Sequence, residues 1–205
     1  MGIDMSSVDA AFGFEPYDVV LRSQLYAVIT APTINVCVKD IVVHGSTLVA
    51  TPTGYLAAIE DGSVPDGDPQ ILGGVIGCYD ENMKPLQYIP AARTGNGTIA
   101  GYVMVADHPD QLWIAQEDGD TNAIDLAEAG MNIDLISAAL CAPNSFTGLS
   151  TQELDSTSAA NTEALQFRLL WPHEDDTPAV DASPNSRWIV RANEHFYSAT
   201  QAGLA

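Results

Sequence analysis

Basic residues are scarce in this chain: seven Lys and Arg stand against 27 Asp and Glu in 205 residues, a formal net charge of −20. Nucleic-acid phosphates are held mainly by Lys and Arg, and here those residues are spread thinly from Arg22 to Arg191. The balance argues against nucleic acid as a partner, and equally against an anionic membrane surface. Long apolar runs are missing as well. The longest, Leu135–Ala142, is interrupted by Ser137 and falls far short of the ~18 residues of a membrane-spanning helix. The first residues carry Asp4 and Asp9 without a basic stretch leading into an apolar one, so a secretory signal is not expected. Cysteine is limited to Cys37, Cys78 and Cys141. With no CxxC pair a zinc site is not expected. The three read as small buried hydrophobes of a protein made in a reducing cytoplasm.

Chemical signatures are equally thin. Gly95, Gly97 and Gly101 form G-x-G-x-x-x-G, one residue too long for a dinucleotide fingerprint and flanked by strand-like segments. Asp118, Asp120 and Asn122 imitate the first three ligand positions of a calcium loop. The pattern then fails, with Ala123 where the turn needs Gly and Ala129 where a bidentate acid belongs. His44, His108, His173 and His195 have no metal-binding spacing, and His173-Glu174 lacks its second His because Thr177 stands there. No G-x-S-x-G elbow occurs. These readings predict no metal, no cofactor and no catalytic residues, hence a protein that is not an enzyme. The surplus of carboxylates reads as solvated loop charge that keeps the chain soluble and could steer it onto a basic patch of a partner.

What is present is a series of short apolar segments separated by turns. Val19–Thr30, Ile34–Val38, Ile41–Val43, Tyr55–Ile59, Ile71–Tyr79, Leu86–Arg93, Thr98–Ala106, Gln111–Gln116, Leu165–Trp171 and Arg187–Ala192 all read as strands. Spacings of roughly 8–12 residues predict an all-β sandwich or barrel with little helix. Tyr102–Ala106 is apolar on both faces and so predicts a central strand. The Asn96-Gly97 pair predicts a hairpin turn, and Asp125–Met131 a turn or two of helix. His44-Gly45 is expected to end the strand Ile41–Val43. Arg187 and Arg191 lie four apart and should share a strand face, each meeting a carboxylate of its own chain or of a neighbouring subunit.

The organisation expected is an extended N-terminal arm over 1–16, one β-rich domain over 17–197 and a small-residue tail over 198–205. The arm carries Phe12 and Phe14, which with Tyr17 are the candidate partner-interface residues. Packing of the two Phe rings on their own domain is the competing reading.

Several stretches in order resemble the head decoration, or cement, proteins of tailed bacteriophages. They are AFGFEP at 11–16, VVLRSQLYAV at 19–28, GGVIGCY at 73–79, LQYIPAA at 86–92 and YVMVADHPDQLWIAQED at 102–118. MNIDL at 131–135, LDSTSAANTEALQFRLL at 154–170 and SRWIVRANEH at 186–195 complete the set. The likeness is one of collinear texture, and the chain adds residues before Ala11 and after His195. It implies a virion protein, assembled in the host bacterial cytoplasm, on the outer surface of an icosahedral shell. There it would clamp neighbouring major capsid protein subunits against internal pressure, often as a homotrimer. An arm that orders on docking could add a strand to a neighbouring sheet edge, and repeated lattice contacts would act through avidity. The alternative is another virion part, a tail or host-surface module, binding carbohydrate through an exposed tryptophan such as Trp113 or Trp171.

Overall fold

A computed structural model describes residues 10–32, 35–51, 54–61, 71–120, 122–136, 147–173 and 184–198. The calls on the first nine residues, the loop after Asp61, Cys141, most of the acidic loop before Ser186 and the tail beyond Ser198 lie outside the described residues. The chain is all-β. Its strands are β1 (Glu15–Pro16), β2 (Ser23–Ile29), β3 (Val36–Cys37), β4 (Ile41–Thr51), β5 (Gly54–Asp61), β6 (Ile71–Tyr79) and β7 (Pro85–Leu86). They continue as β8 (Tyr88–Ile89), β9 (Ile99–Ala106), β10 (Leu112–Gln116), β11 (Asn132–Ile133), β12 (Phe167–Pro172) and β13 (Arg187–Ala192). Two three-residue 3-10 turns, Leu126–Glu128 and Ser156–Ser158, are the only helical pieces among the described residues.

Six strands form one sheet in the order β4-β5-β2-β9-β6-β7, and β4 also pairs with β6. Val42 faces Asp61 of β5 on one side and Gly73 of β6 on the other. The sheet therefore curls round on itself into a barrel. β2 and β5 run parallel, while the other pairings are antiparallel. β9 sits between β2 and β6, the central place that its two apolar faces predict. Tyr26, Val28, Val42, Leu72, Val75, Val103 and Val105 pack together in one core cluster of this barrel.

A second sheet has the order β1-β10-β13-β12-β11. Its inner face supplies Trp113, Ala115, Phe167, Leu169, Trp188 and Val190, which pack with Ile41, Ile71 and Ala106 of the barrel. The two layers meet closely at Gly74, where a Cβ would lie 2.6 Å from the ring of Trp113. A real Cβ cannot occupy that space, so glycine in β6 sets the approach of the sheets.

β4 and the Asn-Gly turn differ from the sequence reading. β4 continues past His44-Gly45 to Thr51, with a register shift between His44 and Leu48. A bulge absorbs the extra residues that looked like a stop. The Asn-Gly turn is shifted by one: Asn96 pairs with Ile99, so Gly97 and Thr98 are its central residues. Only Gly97 needs a positive φ, +66°, as the first central residue of a type II′ turn does. That turn does not join Leu86–Arg93 to β9, because β8 pairs with β3 instead. Of the turn or two of helix expected over 125–131, one forms, the 3-10 turn Leu126–Glu128. It is closed by a capping box in which Asp125 accepts from Ala127 N–H and Glu128 accepts from Asp125 N–H.

Candidate functional site

Residues 10–16, the described part of the expected arm, lie on the domain. Phe14 is fully buried, its ring stacked on Phe167 at 4.9 Å, and its N–H donates to the Lys39 carbonyl. Phe14 is thus a core residue and unavailable to a partner, a correction to its place among the interface candidates. Composition hides this because an aromatic anchor and an aromatic docking residue look alike. Phe12 is half-buried with Lys39 Nζ 5.3 Å from its ring centroid, and Lys39 also pairs with Glu15 at 2.7 Å. β1 then adds to the edge of β10, with Glu15 opposite Ile114 and Pro16 opposite Trp113. Tyr17 is half-buried, its N–H donating to the Leu112 carbonyl.

The exposed apolar chemistry begins one step further on. The chain turns at Asp18 with φ +64°, a conformation Asp tolerates better than most residues. It then presents Val19, 62% exposed, and Leu21, 51% exposed. Neither residue lies in a strand. What holds them is Gln111, itself buried. Its Oε1 accepts from Leu21 N–H at 3.0 Å, and its Nε2 donates to the carbonyls of Val19 and Leu112. One buried amide therefore fixes both sides of the loop and leaves the two apolar side chains facing water.

The next residue anchors the loop from its other end. Arg22 Nε donates to Asp107 Oδ1 at 2.8 Å, and its terminal nitrogen donates to the Asp107 carbonyl at 2.8 Å. The Tyr26 hydroxyl lies 2.7 Å from Asp107 Oδ2 and 3.1 Å from the Tyr197 hydroxyl. The Arg22 guanidinium carbon stands 4.7 Å from the Tyr197 ring centroid. Burial first, then the bonds to Tyr197 and Asp107, pushes the Tyr26 phenol well above its ordinary range, so it stays protonated. Tyr197 belongs to a closing segment that clips onto β6: Ile71 N–H donates to Glu194, and Phe196 N–H donates to Ile71. His195 in this segment is buried. Burial lowers it to about 4, partly opposed by the backbone of Leu72, so it is neutral. Phe196 stacks on His44 at 4.2 Å, and burial lowers that imidazole too.

The acidic stretch that imitated a calcium loop is used internally. Asp118 Oδ1 accepts from Ser156 N–H at 3.1 Å; Asp120 Oδ1 accepts from Asn122 N–H at 2.6 Å and from the Ser156 hydroxyl at 3.0 Å. Beside them Glu117 is fully buried. Its carboxylate accepts from Ile124 N–H, Ser186 N–H and the Ser186 hydroxyl, which in turn accepts from the Trp188 indole. Burial raises Glu117 to about 7 against the pull of those donors. Among the described residues no three His, Cys, Asp or Glu side chains converge as a metal site would require. Cys37 and Cys78 are free thiols in the core, and burial pushes Cys78 up to about 12.

The outer face of the second sheet carries three of the chain's seven Lys and Arg residues, Arg168, Arg187 and Arg191. Arg187 and Arg191 share that face of β13, as their spacing predicts, and Arg191 lies directly opposite Arg168 of β12. Arg168 donates to the Asn132 side-chain oxygen at 3.2 Å, and Arg191 approaches Asp110 at 3.6 Å. In the next row Trp171 opposes Ile189, which opposes Ile114. Trp171 is 44% exposed, whereas Trp113 is buried between the layers. Of the two tryptophans considered for surface recognition, only Trp171 is accessible.

No family model matches the chain, and no curated protein and no solved structure does so either. Sequence reasoning missed the Val19–Leu21 loop because both residues read as the start of a strand. The available signal was Gln111, a lone amide beside the turn at Asp107–Asp110 whose bonding reach sequence alone does not disclose.

Proposed function

We propose that this chain is a head decoration protein that docks on the outside of a phage shell and reinforces contacts between major capsid protein subunits. The observation that carries this reading is the loop from Tyr17 to Arg22, where buried Gln111 holds Val19 and Leu21 outward. Exposed apolar side chains on a pre-ordered loop suit insertion into a complementary pocket, because little conformational freedom remains to be lost on docking. The loop is fastened to the barrel through Arg22 and Asp107, so force applied to it would pass to a closed set of strands. The collinear resemblance to decoration proteins points to a shell as the surface that supplies the pocket.

The test is co-sedimentation of the purified protein with expanded, undecorated heads of its own particle, with copies per capsid subunit read from quantitative gels. Saturable binding at a fixed ratio is expected, with at least tenfold weaker binding by the double variant Val19→Ser/Leu21→Ser. Each buried apolar side chain contributes about 1.5–3 kcal/mol, and every 1.4 kcal/mol is a factor of about ten. Absence of binding by the unaltered protein overturns the reading and favours a tail or host-surface module. In that case Trp171 is the residue to titrate with glycans by fluorescence.

A further inference from the structure

His195 is held in a way that only a neutral ring satisfies. The side chain is 1% exposed, and its Nδ1 accepts from the Tyr197 N–H at 3.1 Å. A neutral imidazole has one N–H and one bare nitrogen, so the ring proton sits on Nε2. A second proton can go only to Nδ1, where it meets the Tyr197 N–H head on. Protonation thus turns an attraction into a repulsion and buries a charge as well. The groups facing the ring do not relieve this. Arg22, ahead of β2, and His108, beyond β9, oppose a positive charge there, while the Leu72 backbone and Asp107 favour one. Both Asp107 oxygens are already engaged, by Arg22 and by the Tyr26 hydroxyl. The ring's own segment contributes Tyr197, at 6.0 Å between centroids, and β4 contributes His44, which meets the segment through Phe196.

The segment that carries this ring is fastened to β6 at its first residue. Ile71 N–H donates to Glu194, the Ile71 carbonyl accepts from Phe196 N–H, and His195 lies beside Ile71 in a parallel bridge. Phe196 stacks on His44 and packs against the barrel core. Tyr197 lies beneath the Arg22 guanidinium, with its hydroxyl 3.1 Å from that of Tyr26. A short piece of chain held in this way can open while the strands beneath it stay folded. We infer that residues 194–198 form an acid-released latch on the barrel, with proton uptake by His195 as the trigger. Once the ring swings into water, Nδ1 takes its proton without the clash. Phe196 and Tyr197 leave with it and uncover His44 and the Arg22–Asp107 pair. Burial lowers His195 from 6.5 to about 4, so opening is favoured as pH falls between those values, by up to about tenfold per pH unit. The latch stands whether or not the chain docks on a shell.

Amide hydrogen exchange of the full chain tests it, read at about pH 7 and about pH 5 as protection relative to the unstructured rate at each pH. Protection of the Phe196 and Tyr197 amides is expected to fall at least tenfold over that interval, while Val103 and Val105 of β9 keep theirs. His195→Asn supplies an oxygen that can accept the same N–H two residues on and takes up no proton. Its protection at Phe196 and Tyr197 should be equal at both pH values. In the unaltered protein at pH 7, nitrogen NMR of the His195 ring should find the proton on Nε2. A proton on Nδ1 overturns the inference. So does equal protection at both pH values in the unaltered protein, or a loss shared by β9. A loss that persists in folded His195→Asn and disappears in His44→Gln overturns the assignment of the trigger.

Discussion

Arg22 and Asp107 form a pair in which only one partner is out of water. The Asp107 side chain is fully buried, while that of Arg22 keeps 38% of its surface. The carboxylate is held at both oxygens, by Arg22 on one and the Tyr26 hydroxyl on the other. The attraction raises the Arg22 guanidinium above its ordinary value, the hydrogen bond to Asp107 being the main cause. Removing Arg22 leaves a buried charge with a single donor, whereas removing Asp107 leaves an exposed cation that water can serve. Arg22→Ala is therefore expected to be the more damaging change, at about 3 kcal/mol as for a broken buried pair. Arg22→Ala with Asp107→Asn together should cost less than the sum of the single changes. Urea denaturation midpoints of the three variants check the ordering.

Glu117 and His195 pull the pH dependence of stability in opposite directions. Glu117 is raised to about 7 from an ordinary value near 4.5. Between those values the folded chain binds the extra proton, so its contribution is present below about 4.5 and is lost as pH rises through about 7. His195 is lowered from 6.5 to about 4. There the unfolded chain binds the extra proton, so stability is present above 6.5 and is lost as pH falls toward 4. Each shift corresponds to about 3 kcal/mol over its window, and the windows overlap between pH 4.5 and 6.5. The unaltered protein should show a nearly flat denaturation midpoint across that overlap. Glu117→Gln should make the midpoint rise with pH, and His195→Asn should make it fall. A common slope in all three proteins would count against both assignments.

Gln111 is expected to matter for docking without touching a partner. Gln111→Ala removes two hydrogen bonds to the loop between β1 and β2 and one to Leu112, and leaves Val19 and Leu21 in place chemically. Freeing two side chains that must be ordered on binding costs about 0.5–1.5 kcal/mol each. Shell affinity should therefore drop roughly fivefold to a hundredfold. The accompanying signature is faster tryptic cleavage after Arg22, with a stability loss limited to about 1–3 kcal/mol for the unsatisfied backbone groups.

The legible parts of this fold are those where side-chain pattern and burial coincide. Ile71–Tyr79 and Arg187–Ala192 are strands with the bounds their apolar runs suggest, and the double-faced apolarity of β9 marks its central position. Segments controlled by long-range bonds were not legible. The strand β4 runs through His44-Gly45 because β5 supplies pairing on the far side of a bulge, and no local signal announces a partner. Phe14 is drawn into the core by Phe167, 153 positions away in sequence. The loop at Val19 and Leu21 looks like strand until Gln111 claims its backbone groups. Of the candidate site, the shared face of Arg187 and Arg191 was readable from spacing alone. The meeting of Arg191 with Arg168 required the register of β12 against β13.

The two-residue strand β1 has a role out of proportion to its length. It lies along the open side of β10, and its second residue is Pro16, which has no N–H to offer a further strand. The opposite border of that sheet is β11, again two residues, and the barrel turns back on itself through β4 and β6. Among the described residues, both borders of that sheet are thus short strands that offer another chain little to zip onto, a safeguard against fibril growth at high local concentration. Trimming the chain to begin at Tyr17 would uncover β10 and remove that safeguard. Such a trimmed protein should gather into thioflavin-positive aggregates where the full chain stays clear.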